Sequence, residues 1–331
     1  MKTTAGIETS LCFCLVATGI FSGSACDSKE EPTENRPAPT NPFVVGDDVD
    51  STPVTGEEDG AAIIREDGWS TPVKLPVDDD GAEDSTYLTR DGRHVLFYHV
   101  PTWGHSDADP QIYFSERPFL TKQVHPITSA DFNGEAGPYI SEAGDIYYSR
   151  TFIVLEPTPH QERPVSIVTG DGTTILDLGT GVIEDNPHYC DVMAELYANI
   201  EYPSGDTDIA VLKNGETTLL SEPINLPDTL ELHPYLTDDC QTMYFTSSRG
   251  AVVSNFPLQI YRSQRRGEFE WSEPELFIAH PQPGAAEGTY GGVGEFSMTR
   301  DGKQMVFLEL TITTQGDEFV GTNKMYYADK Y

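Results

Sequence analysis

The stretch "HPYLTDDCQTMYFTSS", residues 233–248, reads as two short alternating strands joined by a polar turn. "STYLTRDGRHVLFYH" from Ser85 and "EFSMTRDGKQMVFLE" from Glu295 repeat the same order of residue types. Five copies align at one position, which is occupied by Tyr87, Tyr139, Tyr189, Tyr235 and Ser297. Their spacing of about 50 residues is typical of propeller blades and too long for helical solenoids.

Each copy continues with further strand-like runs. In the fourth copy they are "TMYFTS", "LQIYRS" and the weaker "EPELFI". No stretch sustains an apolar period of 3.6 residues, so the pattern predicts an all-β fold. Four runs in each of five copies predict a β-propeller of five four-stranded blades. A sixth blade would have to lie before Gly68 or between Arg150 and Glu184.

The two ends of the repeated region predict how the ring closes. The last copy has only three runs and finishes at Tyr331, while an unmatched run, "GWSTPVKLP" from Gly68, precedes the first copy. This run shares its Trp and Pro with "FEWSEPELF" from Phe269, the fourth-strand region of another copy. We therefore expect a strand near Val73 to complete the last blade and leave the ring without an open edge.

These motifs resemble a known family. "PYLTDD...MYFTSS", "LQIYRSQRRGEFEWSEPELF" and "YLTRDGRHVLFYH" are similar to the PD40 repeat, the WD40-like blade of TolB-type bacterial propellers. The resemblance covers Gly68 to Tyr331 and implies a closed propeller. TolB-type propellers more often have six blades, so a count of five departs from that pattern.

The N-terminal segment, residues 1–25, is predicted to be a signal peptide. Lys2 precedes an apolar run from Leu11 to Phe21, and three small residues lead up to Cys26. The ending "GSAC" resembles a bacterial lipoprotein signal, which implies that Cys26 carries a lipid and anchors the chain to a membrane. This predicts a lipoprotein of the cell envelope, facing the periplasm or the surface. Cleavage after Ala25 without lipidation is the alternative.

Residues 26–66 are predicted to form an acidic, proline-rich, disordered linker, and residues 67–331 the propeller. "DSKEEPTENRPAPTNP" has no apolar period and cannot bury enough surface to order itself.

The charge limits the partners. Asp and Glu number 54 against 20 Lys and Arg, a formal net charge of -34. Such a chain repels phosphate backbones, so nucleic acid is excluded as a partner. A cation, or an envelope protein, peptide or glycan, is a better match, although an acidic surface also serves solubility alone. We expect a monomer.

Acidic residues recur before the aligned position. They are Glu83, Glu135, Asp185, Glu231 and, two residues further along its copy, Glu295. Because these positions fall where each innermost strand begins, we expect a ring of carboxylates around the mouth of the central channel. The ring either holds a cation or a basic segment of a partner, or its members accept hydrogen bonds that latch the blades.

The loops on the same side supply further binding candidates. These are Trp103, His105, Asp107, Asp109, His160, His188 and His233. Asp185, His188, Glu231 and His233 are the nearest approach to a metal set, yet no spacing resembles a zinc motif, so no metal or cofactor is predicted. Ca²⁺ or another divalent cation at the acidic ring is the alternative.

Two cysteines remain after Cys12 and Cys14 leave with the signal peptide and Cys26 is acylated. Cys190 and Cys240 fall near corresponding places in adjacent copies. They form a disulfide or two separate buried thiols.

No hydrolase, zinc-protease, P-loop or dinucleotide motif occurs in the chain. The sequence therefore favours a non-catalytic, lipid-anchored binding propeller, with no catalytic residue assigned. The alternative is a carbohydrate-active enzyme similar to five-bladed glycoside hydrolases, with carboxylates at the channel mouth.

Overall fold

The computed structural model describes residues 44–77, 82–100, 111–126, 135–150, 153–154, 160–161, 166–170, 173–178, 182–251, 256–281, 289–315 and 318–331. Within these ranges the chain forms strands and no helix, so no described helix is long and apolar enough to cross a membrane. The strands in chain order are β1 Ile63–Ile64, β2 Val73–Lys74, β3 Ala82–Leu88, β4 His94–Val100, β5 Gln111–Glu116, β6 Gln123–Val124, β7 Glu135–Ile140, β8 Ile146–Arg150, β9 Ile153–Val154, β10 His160–Gln161, β11 Ser166–Thr169, β12 Thr174–Leu176, β13 Ile183–Cys190, β14 Glu195–Glu201, β15 Thr207–Lys213, β16 Glu216–Leu219, β17 Glu231–Leu236, β18 Thr242–Ser247, β19 Gln259–Gly267, β20 Glu270–Trp271, β21 Glu275–Ala279, β22 Thr289–Met298, β23 Gln304–Gln315 and β24 Glu318–Asp329.

The strands build five antiparallel blades, as the repeat predicts. From the axis outward the blades are β3-β4-β5-β6, β7-β8-β11-β12, β13-β14-β15-β16, β17-β18-β19-β21 and β22-β23-β24-β2. The first strands contact one another in a closed ring, β3 with β7, β7 with β13, β13 with β17, β17 with β22, and β22 with β3. The fold is a five-bladed β-propeller, and its first strands surround a central channel.

The ring closes where the sequence predicts. Val73 pairs with Tyr327 and Lys74 with Tyr326, so β2 is the outermost strand of the fifth blade. The backbone N–H of Tyr331 donates to the carbonyl of Gly68 at 2.8 Å. The two ends of the propeller are therefore hydrogen-bonded to each other, which removes the open edge that an unclosed ring would leave.

The segment before the propeller lies against it from Val44 onward. Ile63 pairs with Ala279, so β1 adds a fifth strand to the outside of the fourth blade. The amides of Ala61 and Ala62 donate to the carboxylate of Glu309 at 2.8 and 2.9 Å. The later part of the segment expected to be a linker thus pairs with the fold, because Ile63 and Ile64 supply two consecutive strand-forming residues. Residues 26–43 lie outside the described residues.

The core lies between neighbouring blades, where the alternating side chains of two sheets meet. Between the fifth and first blades, Phe97 packs with Val306, Leu308 and Tyr327, all of them buried. Consecutive residues such as Val95, Leu96 and Phe97 of β4 are buried, because neighbouring blades cover both faces of the sheet.

A disulfide joins the third and fourth blades. Cys190 ends β13, Cys240 lies in the turn after β17, and their Cα atoms are 6.0 Å apart. Both residues are about 1% exposed. The bridge adds a covalent link between blades that are otherwise held together by packing.

Candidate functional site

Every first strand contains a bulge at the same place. The residue at the bulge has a φ between 51° and 57° in each of the five blades; these residues are Ser85, Gly137, Asn186, His233 and Glu295. Ladder pairing resumes two residues later, at Tyr87, Tyr139, His188, Tyr235 and Ser297. The bulge fixes the alignment of the copies, and the aligned residue of the third copy is His188, one position before Tyr189.

This register changes one member of the expected acidic ring. Four residues before the aligned position lie Glu83, Glu135, Glu184 and Glu231, which we call the outer acids. Glu184 therefore takes the place expected for Asp185, and Val293 occupies this position in the fifth blade. The third copy has no Asp-Gly turn to fix its register. The alignment made from sequence was therefore displaced by one residue in this copy.

The outer acids are fully buried and contact groups close to them in the chain. The carboxylate of Glu83 lies 2.9 Å from Nδ1 of His99 and 3.9 Å from Nζ of Lys122. Glu135 lies 3.4 Å from the guanidinium of Arg150, and Glu231 lies 3.4 Å from that of Arg249. These three carboxylates hold cations of their own blades, so their geometry is that of structural ion pairs.

Glu184 differs from the other outer acids. Its Oε1 accepts a hydrogen bond from the amide of Leu178 at 2.6 Å. Burial raises the pKa of Glu184 to about 7. No described Lys, Arg or His forms an ion pair with it.

A second set of carboxyl groups lies closer to the axis, beside the bulges. Asp84, Asp185 and Glu295, which we call the mouth acids, are 8%, 0% and 4% exposed. The carboxyl groups of Asp84 and Glu295 share a hydrogen bond across the junction of the first and fifth blades. Asp185 accepts hydrogen bonds from the hydroxyl of Ser149 and, at 2.7 Å, from the amide of Asn186.

No described lysine or arginine pairs with the mouth acids; the nearest basic group is Nε2 of His233, 3.6 Å from Glu295. Burial lowers the pKa of this histidine to about 3, so it is neutral. The propeller segments outside the described residues contain no lysine and one arginine, Arg163. A lysine or arginine of the same blade balances the charge of three outer acids, whereas no described lysine or arginine balances the charge of the mouth acids.

The missing counter-charge is reflected in the protonation of the mouth acids. Burial, and then repulsion from Asp84, raises the pKa of Glu295 well above its ordinary value. Burial likewise raises the pKa of Asp84, and that of Asp185 to about 7. Two buried carboxyl groups that share a hydrogen bond need a proton between them, so the pair carries about one negative charge near neutral pH.

Of the mouth acids, Glu295 lines a small pocket on the axis, with a volume of about 40 Å³. Its wall contains the five bulge residues. The hydroxyl-bearing side chain of Thr86 also lines it; this residue is 6% exposed, and its Oγ1 has no partner among the described residues. The pocket is thus lined by one mouth acid, Glu295, and by Thr86, whose hydroxyl oxygen is itself buried.

The five aligned residues connect the blades in sequence, and four of them, Tyr87, Tyr139, His188 and Tyr235, form the floor of the pocket. Each makes one hydrogen bond to the backbone of the next blade. The hydroxyls of Tyr87, Tyr139 and Tyr235 donate to the carbonyls of Ile140, Tyr189 and Met298 at 2.9, 2.7 and 2.7 Å. His188 and Ser297 accept hydrogen bonds from the amides of Leu236 and Leu88 at 3.1 and 2.7 Å. This hydrogen-bonded ring explains why the chain repeats a polar aromatic residue at this position.

The other end of the channel is closed by a ring of charges. It is formed by the residues three positions after the aligned ones, Arg90, Glu142, Asp191, Asp238 and Arg300, which we call the base ring. Nε of Arg90 lies 3.3 Å from Glu142, and its guanidinium also pairs with Asp238. Arg300 pairs with the same two acids at 2.8 and 3.4 Å. In the base ring, the arginines of the first and fifth blades thus pair with acids of the second and fourth blades.

The remaining candidates divide into two groups. Trp103, His105, Asp107 and Asp109 lie outside the described residues, and His160 lies in β10, where only the backbone is described.

His188 is 2% exposed and lies between the rings of Tyr139 and Tyr235, so it belongs to the floor of the pocket and not to its opening. Asp185, His188, Glu231 and His233 were the nearest approach to a metal set in the sequence. Among the described residues, no three His, Cys, Asp or Glu side chains converge closely enough to hold an ion.

Sequence reasoning missed Asp84, Thr86 and the base ring. A signal for the mouth was present in the tripeptides "GPY", "NPH" and "HPY" at 137–139, 186–188 and 233–235, which mark the bulge in three blades. The first blade has Thr86 where these have proline, and its amide donates to Glu295 at 3.1 Å.

No protein-family model matches this chain, and no curated protein sequence matches it. Among solved structures, a putative TolB from Agrobacterium tumefaciens is 11% identical, with a TM-score of 0.42 over 76% of this chain and 91% of that one.

TolB from Acinetobacter baumannii is 13% identical, with a TM-score of 0.39 over 76% of this chain and 55% of that one. An endo-arabinase from Bacteroides thetaiotaomicron is 13% identical, with a TM-score of 0.46 over 78% of this chain and 97% of that one. The similarity is too low to carry a function from these proteins to this chain.

Proposed function

We propose that the chain is an exported, lipid-anchored, non-catalytic binding protein, whose propeller presents the channel mouth to a polypeptide partner. The observation that supports this proposal is the contrast between the acids. Three outer acids are neutralised by cations of their own blades, whereas no described lysine or arginine pairs with the mouth acids Asp84, Asp185 and Glu295. Buried carboxyl groups without a counter-charge are costly in an isolated protein, and a partner that supplies positive charge offsets that cost.

The path of the chain is consistent with an anchor at the opposite end. The carbonyl oxygens of Gly46 and Asp47 accept hydrogen bonds from Arg300 of the base ring at 3.1 Å each. The described chain therefore meets the propeller at its base. A lipid on Cys26 would hold the base toward the membrane and leave the mouth facing a partner.

Retention of an envelope protein on the immobilised full-length mature chain tests the binding function. The mouth variant carries Asp84→Asn and Asp185→Asn, and its control carries Glu216→Gln and Glu273→Gln, which remove the same two charges from exposed positions. We expect the wild type and the control to retain the same polypeptide and the mouth variant to lose it. Equal retention by all three proteins would refute a partner site at the mouth, and retention of a glycan alone would replace the polypeptide with a carbohydrate ligand.

The anchor is tested separately by mass spectrometry of the mature N-terminus from a bacterial host. We expect a diacylglyceryl-modified Cys26 in the wild type and none in Cys26→Ala. An unmodified N-terminus in the wild type would contradict lipidation and leave the binding function standing.

Glycoside hydrolysis is the second candidate, and one observation favours it. The pKa of Asp185 is raised to about 7 by burial, and a carboxyl group that keeps its proton near neutral pH can act as a general acid. However, Asp84 and Glu295 share a hydrogen bond, which places them closer than the roughly 5–9 Å that a pair of glycosidase carboxyl groups requires. Release of reducing ends from a polysaccharide panel, abolished by Asp185→Asn, would establish this alternative.

A further inference from the structure

A second, larger pocket lies at the base of the propeller, between the third and fourth blades. The turns that carry Asp191 and Asp238 of the base ring also carry Met193 and Gln241, which line this pocket. The ends of β15 and β19 complete its wall. Its volume of about 390 Å³ lies within the range of small-molecule sites, roughly 300–1,000 Å³.

This base pocket concentrates positive charge in an acidic chain. Lys213, Arg265 and Arg266 line it together with Glu195 and Glu268, so basic groups outnumber acidic ones. The whole chain, by contrast, has a formal net charge of -34. A concave site with an excess of positive charge attracts an anion, whereas the rest of such a surface repels it.

A bulge brings the two arginines to the same pocket. Consecutive residues of a regular strand point to opposite faces of the sheet. In the hairpin of β19 and β20, Arg265 pairs with Trp271 and Gly267 with Glu270, so Arg266 is an extra residue in the ladder. A bulge redirects the side chains beside it, and here both arginines line the pocket.

Two of the three cations are held in place by Glu195. Its side chain is 1% exposed and pairs with Nζ of Lys213 at 3.0 Å and with Nη2 of Arg265 at 2.9 Å. Nε of Arg265 also donates to the carbonyl of Cys240 at 2.9 Å, and the disulfide joins Cys240 to Cys190 at the end of β13. This wall is therefore fixed before a ligand arrives, which lowers the entropic cost of binding.

Arg266 is the cation that remains available. It is exposed, and no described residue forms an ion pair or hydrogen bond with its guanidinium. Lys213 is available in part, since its second partner at 2.9 Å is Glu268, whose side chain is 67% exposed.

We propose that the base pocket binds the carboxylate of a small molecule, with Arg266 as its main partner and Met193 against the apolar part of the ligand. The pocket is at the opposite end of the propeller from the mouth acids. The inference therefore goes beyond the proposed function and does not depend on it.

The charge and the donors of the pocket select a carboxylate. Three basic and two acidic side chains leave one positive charge in excess, which a single negative charge balances. The planar guanidinium of Arg266 can donate two parallel N–H groups to one carboxylate. A second contact forms where the ligand replaces Glu268 at the ammonium group of Lys213.

Methyl NMR of the intact mature chain, labelled at the methyl carbon of methionine, tests the proposal with benzoate as the probe. Met193 lines the pocket, whereas Met243, Met298, Met305 and Met325 are buried in the core. We expect benzoate to shift the Met193 resonance saturably and acetate to bind more weakly, because it lacks an apolar body. Benzamide, which has the same shape without the charge, should bind at least about tenfold more weakly than benzoate.

Two substitutions should change the affinity for benzoate in opposite directions. Arg266→Gln removes the available guanidinium and should weaken binding at least about tenfold, because a hydrogen bond between two charged groups is lost. Glu268→Gln removes the carboxylate that competes for Lys213 and should strengthen binding. Lys303→Gln, which removes an exposed cation from a base turn of the fifth blade, is the matched control and should bind as the wild type does.

Three results would overturn the carboxylate site. They are equal affinities for benzamide and benzoate, an unchanged affinity in Arg266→Gln, and a weaker affinity in Glu268→Gln. Tighter binding of inorganic phosphate than of benzoate would also overturn it. Arg266 and Glu268 are both exposed, so these variants test the site without altering the core.

Discussion

The two ends of the central channel use the same five first strands for different purposes. At the base, Arg90 and Arg300 lie between Glu142 and Asp238, so charges of opposite sign come from different blades and pair with one another. At the mouth, six residues earlier in the first blade, Asp84 shares a hydrogen bond with the carboxyl group of Glu295 and has no described cation as a partner. The base is a network of ion pairs between blades, whereas the mouth acids have no described lysine or arginine as a partner.

This difference shows how a repeat can separate stability from function. The aligned residues connect each blade to the next through its backbone, so they fix the ring whatever charges lie above and below them. Side chains three residues later then form ion pairs between blades, while the carboxyl groups beside the bulge have no described lysine or arginine as a partner. We therefore expect substitutions at the base to destabilise the fold and substitutions of the mouth acids to spare or stabilise it.

Arg90→Ala should have the largest effect. The Arg90 side chain is 3% exposed and contacts Glu142, Asp238 and, at 3.0 Å, the hydroxyl of Tyr139. Its removal leaves Glu142 and Asp238 with Arg300 as their one described cation, removes the hydrogen bond to Tyr139 and empties a buried site, so it should lower the free energy of unfolding by about 3–5 kcal/mol. Urea unfolding measures this, with Arg266→Ala at an exposed position as the control. A loss no larger than that of the control would contradict a latch at the base.

Loss of the disulfide should have the next largest effect. Cys190 and Cys240 are 50 residues apart in sequence and link the third and fourth blades at the base side. The double variant Cys190→Ser and Cys240→Ser should be about 2–4 kcal/mol less stable than the oxidised wild type. Reduction of the wild type should lower its stability by the same amount. If reduction leaves the stability unchanged, the disulfide does not stabilise the fold.

Tyr139→Phe should destabilise the fold by about 1–3 kcal/mol. The substitution removes the hydrogen bond to the carbonyl of Tyr189 and the one from Arg90, and leaves a buried carbonyl unsatisfied. Thermal unfolding measures the change, and Tyr331→Phe, at a position 92% exposed, is the matched control. If both variants melt with the wild type, the hydrogen-bonded floor does not hold the ring.

Asp185→Asn should have the smallest effect and the opposite sign. Because burial raises the pKa of Asp185 to about 7, the folded protein binds a proton that the unfolded chain has already lost, and stability falls as the pH rises from about 4 through about 7. Asparagine does not titrate, so the variant should gain stability relative to the wild type between pH 5 and pH 8 and be the more stable of the two at pH 8. Thermal unfolding at both pH values measures this; a variant less stable at pH 8 would show that the carboxylate is compensated.

The blade count, the four-stranded pattern and the ring closure were predicted from sequence, because each depends on periodicity and on matching strand ends. The "GWSTPVKLP" run predicted its pairing with the last blade because a closed ring must contain as many fourth strands as blades. The pairing of Ile63 with Ala279 was not predicted, since two apolar residues in an acidic segment give no period.

The site was predicted only in outline. The sequence placed acids where the first strands begin, but it did not distinguish the outer acids from the mouth acids. That distinction depends on which residues lie at the bulge or directly before it, and on where cations such as Arg150 and Arg249 fall on or just after the neighbouring strand. The register of a bulged strand is set by its pairing with the neighbouring strand in three dimensions. A copy without an Asp-Gly turn, such as the third, has no local sequence signal for that register.

The central claim, that the mouth acids are buried without a compensating cation, is tested most directly by carboxyl-carbon NMR of the full mature chain labelled at Asp and Glu. Single Asn and Gln variants assign Asp84, Asp185 and Glu295. We predict that Asp185 titrates near pH 7 and that Glu295 keeps its proton well above its ordinary range. Titration of all three groups near their ordinary values of about 4 would show that the mouth is already neutralised and would contradict the account.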